Sequence, residues 1–345
     1  MGHAPDIKHL IDDLGSFKPT FLLAVPRVFE KVYNSAAQNA AASGRGKIFN
    51  KAVETAIAYS RAEQAGKIPV TLRAQHKVFD GLVYNKLRDA LGGKCKYAIS
   101  GGAPLGERLG HFFHGVGLTV LEGYGLTETT AALSVNSPEH SKIGTVGRPL
   151  PGTTVRVADD GELLFKGGQV LKGYWHNDAA TADALTDGWF HTGDLGAIDD
   201  EGFVSITGRK KEIIVTAGGK NVAPAQLEDR IRGHVLIDQV LVVGDAQPYI
   251  AALVTLDLES LPAWAAAHNK TADLATLIDD PDVRKEVQDA IEDANKSVSH
   301  AEAIKKFVIV PAQWTEEGGQ LTPSLKLKRN VVMAEHAADI AKIYG

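Results

Sequence analysis

Hydrophobic and polar positions change period several times along the first hundred residues. Thr20–Val25 is a short apolar run and predicts a buried strand. From Arg27 onward Val28, Val32, Ala36 and Ala40 recur every four residues, the spacing of one helix face. The run SGRGK (43–47) interrupts that pattern, and a second helical region follows through Ile57 and Arg61. Its Gly-Arg-Gly-Lys is superficially like a phosphate-binding loop, but the spacing is not that of a Walker A and no strand feeds it. It reads as a loop between helices. Lys96–Ser100 predicts a strand ending in SGGAPL (100–105), then a helix carrying Leu109, Phe112 and Phe113. Leu118–Leu121 predicts a further strand, running into EGYGLTETT (122–130).

From Ile143 to Ile206 the character changes. Short alternating segments (Thr154–Val157, Glu162–Lys166, Ala197–Ile198, Val204–Thr207) are separated by Gly and Asp turns, which predicts a small barrel-like β region. The string GRKKE (208–212) marks the domain boundary, dividing residues 1–208 from 209–345. Beyond it come a strand at Ile213–Thr216, a Gly-Gly turn and a helix from about Ala223 with Leu227 and Ile231 inward. Strands at Gln239–Val243 and Ile250–Leu256, a charged helix over Asp282–His300, a strand at Phe307–Val310 and a basic tail complete an α+β unit. The fold class is therefore α/β followed by α+β. No internal repeat or low-complexity segment appears.

Composition narrows the function classes. With 345 residues, 44% hydrophobic and 23% charged, the chain has the balance of a globular protein of about two domains. A net charge of −5 argues against an electrostatic nucleic-acid binder. The single cysteine, Cys95, excludes an internal disulfide and fits a reducing, cytoplasmic setting. The longest apolar stretches are strand-length, and the start MGHAPDIKHLIDDL lacks the apolar region of a secretory signal.

The string YGLTE (124–128) places an aromatic, a hydroxyl and a carboxylate on what reads as one glycine-bracketed turn. Glu128 is a hard oxygen donor suited to Mg²⁺. The Thr127 hydroxyl can hydrogen-bond a phosphate oxygen, and Tyr124 offers a flat face to a base. A strand-to-helix turn with a capping threonine is the alternative. WFHTGDLG (189–196), GRKKE, GGKNVAPAQLE (218–228) and TPSLKLKR (322–329) follow, with GTVGRPLPG (144–152) and GELLFKGGQVLKGYW (161–175) between. In order and approximate spacing this resembles the adenylate-forming superfamily: acyl-CoA synthetases, luciferases and peptide-synthetase adenylation domains. The resemblance covers the chain from about residue 18 onward.

That resemblance implies roles at matching positions. Gly101, Gly102, Ala103 and Tyr124 would flank adenine; Asp194 and Arg209 would meet the ribose hydroxyls; Thr127 would contact the α-phosphate and Glu128 the metal. Lys326 would bridge the acyl carboxylate and the α-phosphate, Lys211 would be the pivot of a mobile small domain, and Gly219 would lie on the loop presented in the second half-reaction. ATP, Mg²⁺ and coenzyme A are the implied cofactor and co-substrates. The helical stretch after VPRVFEKVY and the TPSLKLKR ending resemble the long-chain fatty acid–CoA ligases, and a lipid substrate is compatible with peripheral contact at a membrane. An acyl-AMP ligase feeding a carrier protein, or an inactive nucleotide- or acyl-binding fragment, is the rival reading; oligomeric state is not legible.

The family's Ser/Thr/Gly-rich loop ending in Pro-Lys-Gly, which wraps the β- and γ-phosphates, does not occur in the sequence. Part of the large domain's sheet is expected to be absent with it, exposing apolar edges at Thr20–Val25 and Leu118–Leu121. Other conspicuous residues take plain structural readings: His111 and His114 as surface or core rather than metal ligands, Trp175 and Trp189 as packing for the β region, and Glu292 and Asp293 as a solvated helix face.

Overall fold

A computed structural model describes residues 1–4, 9–323 and 325–345; residues 5–8 of the amino-terminal string and Ser324 of TPSLKLKR lie outside the described residues. Two units separate by their internal contacts, residues 1–192 with 196–206 and residues 193–195 with 207–345.

The first unit opens with α1 (Leu10–Phe17), β1 (Phe21–Ala24), α2 (Pro26–Ala42) and α3 (Gly46–Gln64). Val25 is extended, as a residue before proline prefers, and Pro26 occupies the first helical turn. Val32 is buried, and Val28, Ala36 and Ala40 pack against the same core. Next come α4 (Val70–Phe79), a π-helical turn (Asp80–Tyr84) and α5 (Asn85–Ala90), then β2 (Tyr97–Ser100), α6 (Glu107–Val116) and β3 (Thr119–Leu126). Helix α6 stops at Gly117, whose φ of 95° is left-handed, and the Leu118 N–H closes the end on Phe113 O at 2.9 Å.

Strands β1, β2 and β3 are parallel, with Ala24 opposite Ser100 and Ser100 opposite Glu122. β3 turns back into antiparallel β4 (Ala131–Val135), which pairs with β5 (Arg148–Pro149). The sheet order is β1-β2-β3-β4-β5. Its helical cover buries Phe29, Tyr84, Phe112 and Phe113 to 1% exposure or less. Each such burial contributes roughly 2–3 kcal/mol before the entropy of ordering is counted.

Two expectations are corrected here. Thr20–Val25 does not form a buried strand: β1 is a sheet edge, with Phe21 50% and Leu23 74% exposed. Leu118–Leu121 is not an exposed edge, because β3 lies between β2 and β4 and Leu118, Val120 and Leu121 are buried.

The second sheet contains β6 (Thr154–Val157), β7 (Glu162–Lys166), β8 (Leu185–Thr186), β9 (Trp189–Ile198) and β10 (Val204–Arg209), with α7 (Asp178–Ala184) before β8. The path runs β10-β9-β7-β6, with β8 beside β9. Among the described residues it stays open and does not close into the expected barrel. The physical reason is its cover: Leu163, Phe165 and Val204 bury against Leu133 of β4 instead of against further strands of the same sheet. Trp189 packs beneath the Arg156 guanidinium, 4.4 Å from its ring centroid, whereas Trp175 is 89% exposed, its ring meeting that of the adjacent His176 at 4.4 Å.

The second unit runs through β11 (Ile214–Val215), β12 (Asn221–Val222), α8 (Pro224–Arg232), β13 (Ile237–Val243), β14 (Ile250–Leu256), α9 (Leu261–Ala267), α10 (Leu274–Leu277), α11 (Pro281–Asn295), β15 (Ile304–Ile309), α12 (Arg329–Glu335) and α13 (Ala337–Tyr344). β14 is central, antiparallel to β13 and parallel to β15, and every residue of it is buried. Ala252 and Val254 join Leu227, Ile231, Val283 and Val287 in one cluster. Ala251 and Leu253 join Trp314, Val332 and Ile343 in another. A strand apolar on both faces requires cover on both. The expected basic tail is therefore largely the helices α12 and α13, which supply the second cover.

Candidate active site

The loop after β2 contains Gly101, Gly102 and Ala103. Gly102 has a φ of 84°, and a Cβ on Gly101 would stand 3.5 Å from Gly123 O in β3. The Leu105 N–H donates to Glu122 Oε2 at 3.1 Å, tying the loop along β3. Tyr124 is half-buried beside it, its ring 5.8 Å from that of Phe165. The expected glycine-bracketed turn at Tyr124 is corrected: β3 continues through Leu126, and Tyr124 sits in a ladder opposite Ser134.

The turn comes at Thr127–Thr129, a single 3₁₀ turn. Thr129 is buried, and its Oγ1 accepts the Leu126 N–H at 2.9 Å. Thr130 and Ala131 then adopt left-handed φ values of 52° and 78°. Non-glycine residues hold such angles at a cost of about 1 kcal/mol or more, and they cluster at functional sites. The reversal is tight enough that a Cβ on Gly125 would fall 1.6 Å from Ala131 O.

Thr127 is exposed and Glu128 half-buried. Three hydrogen bonds fasten this turn to the segment 169–174. The Tyr174 hydroxyl donates to Glu128 Oε1 at 3.0 Å, the Leu171 N–H donates to Glu128 O at 2.7 Å, and Thr130 Oγ1 donates to Gln169 O at 3.1 Å. Burial, and then the bond to the Glu128 carboxylate, push the Tyr174 hydroxyl up from its ordinary pKa. The phenol therefore remains a donor. Sequence reasoning passed over Tyr174; its signal was the Gly-Tyr-Trp ending of GELLFKGGQVLKGYW.

In the second unit Asp194 is 4% exposed, and its Oδ1 accepts Arg209 Nε at 2.7 Å. Lys211 is exposed on a 3₁₀ turn (Lys210–Glu212). Gly219, with φ 76°, forms the β11–β12 turn, and its N–H donates to Thr216 O at 2.8 Å. Lys326 is exposed on a hairpin closed by the Leu321–Leu327 bridge. Its N–H donates to Thr322 Oγ1 at 3.0 Å, and its carbonyl accepts the Thr322 N–H at 2.8 Å. Three residues later Arg329 donates to Glu228 Oε1 and to Val242 O, each at 2.6 Å. That anchor was not anticipated; its only signal was a charge closing each of the strings GGKNVAPAQLE and TPSLKLKR.

The structure thus gathers Gly101, Gly102, Ala103, Tyr124, Thr127 and Glu128 along one strand and its flanking loops, and joins Asp194 to Arg209. Gly219, Lys211 and Lys326 stand on separate exposed turns. A flat phenol beside a glycine loop suits a planar base, and a hydroxyl next to a carboxylate suits a phosphate with its counter-cation.

The AMP-binding enzyme family profile matches residues 1–175, and that of the AMP-binding enzyme C-terminal domain matches residues 211–345. The chain is 57% identical to the long-chain-fatty-acid–CoA ligase FadD15 of Mycobacterium bovis, covering all of this chain and 58% of that protein. It is 35% identical to the putative fatty-acid–CoA ligase fadD11 of Mycobacterium tuberculosis, covering 99% of this chain and 61% of that one. The chain therefore spans less than two thirds of the length of these relatives. Among solved structures, the A domain of carboxylic acid reductase from Segniliparus rugosus, in complex with AMP and a co-purified carboxylic acid, superposes with a TM-score of 0.72 at 22% identity, over 99% of this chain and 50% of that one. The adenylation domain of the Mycobacterium chelonae carboxylate reductase gives the same score at 21% identity, over 99% and 49%.

Proposed function

This chain belongs to the AMP-binding enzyme family, and we propose that it carries the base-, ribose- and carboxylate-handling part of an enzyme that activates long-chain fatty acids with ATP and passes them to coenzyme A. The observation that carries the reading is the turn at Thr127–Thr129, strained at Thr130 and Ala131 and held to residues 169–174 through Glu128 and Tyr174. The long-chain substrate is supported by the likeness to the fatty-acid–CoA ligases.

In the first half-reaction a fatty acid carboxylate oxygen attacks the α-phosphorus of ATP, and pyrophosphate leaves. In the second, the thiol sulfur of coenzyme A attacks the acyl carbon, and AMP leaves. Tyr124 and the Gly101–Ala103 loop bracket adenine. Asp194 accepts from the ribose hydroxyls, with Arg209 holding its carboxylate in place. Thr127 donates to the α-phosphate. Lys326 neutralises charge on the attacking carboxylate and phosphate oxygens, the kind of stabilisation expected to matter most in such transfers.

Glu128 would hold Mg²⁺, which supplies charge neutralisation at the phosphates. The donor fits: it is a carboxylate oriented by Tyr174, and magnesium in nucleotide sites takes only one or two carboxylates beside phosphates and water. The reading has the enzyme act in the reducing cytoplasm. The triphosphate-wrapping loop is not in this sequence, so the 345-residue chain is expected to bind AMP yet release pyrophosphate far more slowly than a chain of the relatives' full length.

Two measurements test the reading. Equilibrium dialysis of AMP against this chain should show binding that Tyr124→Ala weakens. A chain extended to the relatives' length, given ATP, Mg²⁺, palmitate and coenzyme A, should yield palmitoyl-CoA with AMP and pyrophosphate by mass spectrometry. Accumulation of palmitoyl-adenylate alone would indicate transfer to a carrier protein instead, and no product at all would refute the assignment.

A further inference from the structure

Among the described helices of eight residues or more, α4 alone buries no side chain. One line of its outward positions is nevertheless apolar, between the exposed Thr71, Arg73, Gln75 and Lys77. Val70 is 81% exposed, Val78 59% and Leu82 56%, and with the exposed Ala74 they recur every four residues through α4 and the π-helical turn. The opposite side is what holds the helix down. His76 Nε2 lies 2.6 Å from Gly115 O, its ring stacks on Tyr59 at 3.9 Å, and the Tyr84 hydroxyl donates to Ala52 O at 2.7 Å. The wide turn at Asp80–Tyr84 keeps Tyr84 inward while Leu82 stays outward.

Charge along this segment runs against that of the whole protein. Residues 66–90 carry Lys67, Arg73, Lys77, Lys86 and Arg88 against Asp80 and Asp89, in a chain with 37 basic and 42 acidic residues. Arg88 and Asp80 pair with each other at 2.6 Å, while Lys67, Arg73, Lys77 and Lys86 are exposed. An apolar stripe bordered by cations is the pattern of a helix that lies in a membrane interface, with its apolar side among the acyl chains and its cations at anionic headgroups. Among the described residues no helix is long and apolar enough to cross a membrane. A second copy seated symmetrically on this face would set Arg73 and Lys77 against themselves, and nucleic acid would leave the valines and leucine uncovered.

We infer that the outer face of α4 and the following π-helical turn docks on an anionic phospholipid surface, with Val70, Val78 and Leu82 inserted and Arg73, Lys77 and Lys86 at the headgroups. This deepens the fatty-acid reading, since that substrate class partitions into bilayers, but the test needs neither ATP nor coenzyme A. Failure of one is therefore distinguishable from failure of the other.

The experiment is co-flotation of the full chain with vesicles of phosphatidylcholine mixed with phosphatidylglycerol, and with phosphatidylcholine alone. Binding is expected on the anionic vesicles only and should fall when salt is raised to about 0.5 M. Val78→Asp with Leu82→Asp should reduce partitioning at least about tenfold, and Lys77→Gln by about fivefold. Val78→Ser with Leu82→Ser is the second variant should the acidic pair disturb folding, and circular dichroism checks each. Phe21→Ser with Leu23→Ser, at the exposed edge of β1, should leave binding unchanged and so separates a specific face from general stickiness. No binding to anionic vesicles, equal binding to neutral ones, or binding indifferent to the Val78 and Leu82 changes would each overturn the inference. Loss of self-association, with vesicle binding intact, would do the same and assign the stripe to a protein contact.

Discussion

Arg329 Nη1 lies 2.6 Å from Glu228 Oε1, joining α12 to α8 across 101 residues of sequence. The same oxygen accepts the Val242 N–H at 2.7 Å, and Arg329 Nη2 returns a bond to Val242 O at 2.6 Å, so the pair also locks the end of β13. Both side chains are largely buried, 15% and 12% exposed. Removing one partner from such a pair strands the other charge, which costs about 3–5 kcal/mol, whereas replacing both with apolar groups can be near neutral. Glu228→Ala and Arg329→Ala should each destabilise the second unit by about that amount, and Glu228→Met with Arg329→Met by clearly less than the sum. Urea unfolding combined with hydrogen exchange at the Val242 amide reads this out. Additive single and double changes would show that the two residues act independently.

Gly125 and Gly102 should separate close approach from backbone freedom. Alanine at Gly125 meets Ala131 O at 1.6 Å, so the β3–β4 reversal must open. Gly102 has open space around it and only a left-handed φ of 84° to maintain. Gly102→Ala is expected to cost about 1 kcal/mol. Gly125→Ala should cost more than about 3 kcal/mol, or prevent folding of the first unit. Thermal unfolding of the two variants side by side decides the matter, and similar losses would contradict the geometry.

The Tyr174–Glu128 bond predicts a nucleotide effect without a stability effect. Tyr174→Phe keeps the ring and removes only the hydroxyl that orients the carboxylate. A hydrogen bond to a charged group contributes about 1.5–3 kcal/mol when buried, and less at this half-exposed site. Magnesium-dependent ATP binding by a full-length chain should weaken by about threefold to tenfold, with the melting temperature nearly unchanged. Titration calorimetry with and without Mg²⁺ is the check; equal weakening in both would remove Glu128 as the metal ligand.

Local patterns carried much of this fold and little of its tertiary chemistry. The four-residue spacing in α2 and the apolar run of β14, interrupted only by Thr255, were legible because each states its own periodicity. Helices α12 and α13 were not, since RNVVMAEHAADIAKIY follows a basic run and its apolar side makes sense only once β14 needs a second cover. Gly123 and Gly125 looked like turn punctuation around Tyr124. In the fold Gly125 instead permits the close approach of Ala131 O, a contact no neighbouring residue announces. The family resemblance implied a shared ribose for Asp194 and Arg209; what the fold shows is an ion pair between them, Arg209 Nε 2.7 Å from Asp194 Oδ1. Glu228 with Arg329, and Glu128 with Tyr174, are partners far apart in sequence that only the folded chain brings together.

His111 should make the first unit acid-sensitive above the carboxylate range. It is 4% exposed, with Nδ1 2.9 Å from Ser60 Oγ, a hydroxyl also 3.1 Å from His114 Nδ1. Burial first, then Arg61 and His114, lower its pKa from 6.5 to about 4. The folded state therefore keeps the ring neutral while the unfolded chain takes a proton. The resulting stability is fully present above pH 6.5 and lost as pH falls from there toward about 4, by up to about 3 kcal/mol. His111→Gln should flatten that slope. Urea midpoints at several pH values, followed through α6 amides, would show it, and an unchanged slope would assign the acid loss to other groups.

The hairpin around Lys326 invites a test that separates chemistry from folding. Its backbone is pinned on both sides, the N–H to Thr322 Oγ1 at 3.0 Å and the carbonyl to the Thr322 N–H at 2.8 Å, while Leu325 holds a left-handed φ of 60°. Such a turn fixes where the lysine side chain starts, and fixing a charge in advance is what makes it effective against a developing one. In a full-length chain Lys326→Ala should slow pyrophosphate release from ATP and palmitate by at least about a hundredfold. Thioester formation from supplied palmitoyl-adenylate should be spared, since the carboxylate has already been activated. Thr322→Val removes the hydroxyl acceptor but keeps the charge, so adenylation should drop by only about fivefold to tenfold. Combining the two changes should be no worse than Lys326→Ala alone, because the hairpin acts only through the lysine it carries. Single-turnover assays of the two half-reactions give all three comparisons. Equal slowing of both halves by Lys326→Ala, or additive losses in the double variant, would reassign this hairpin to a folding role.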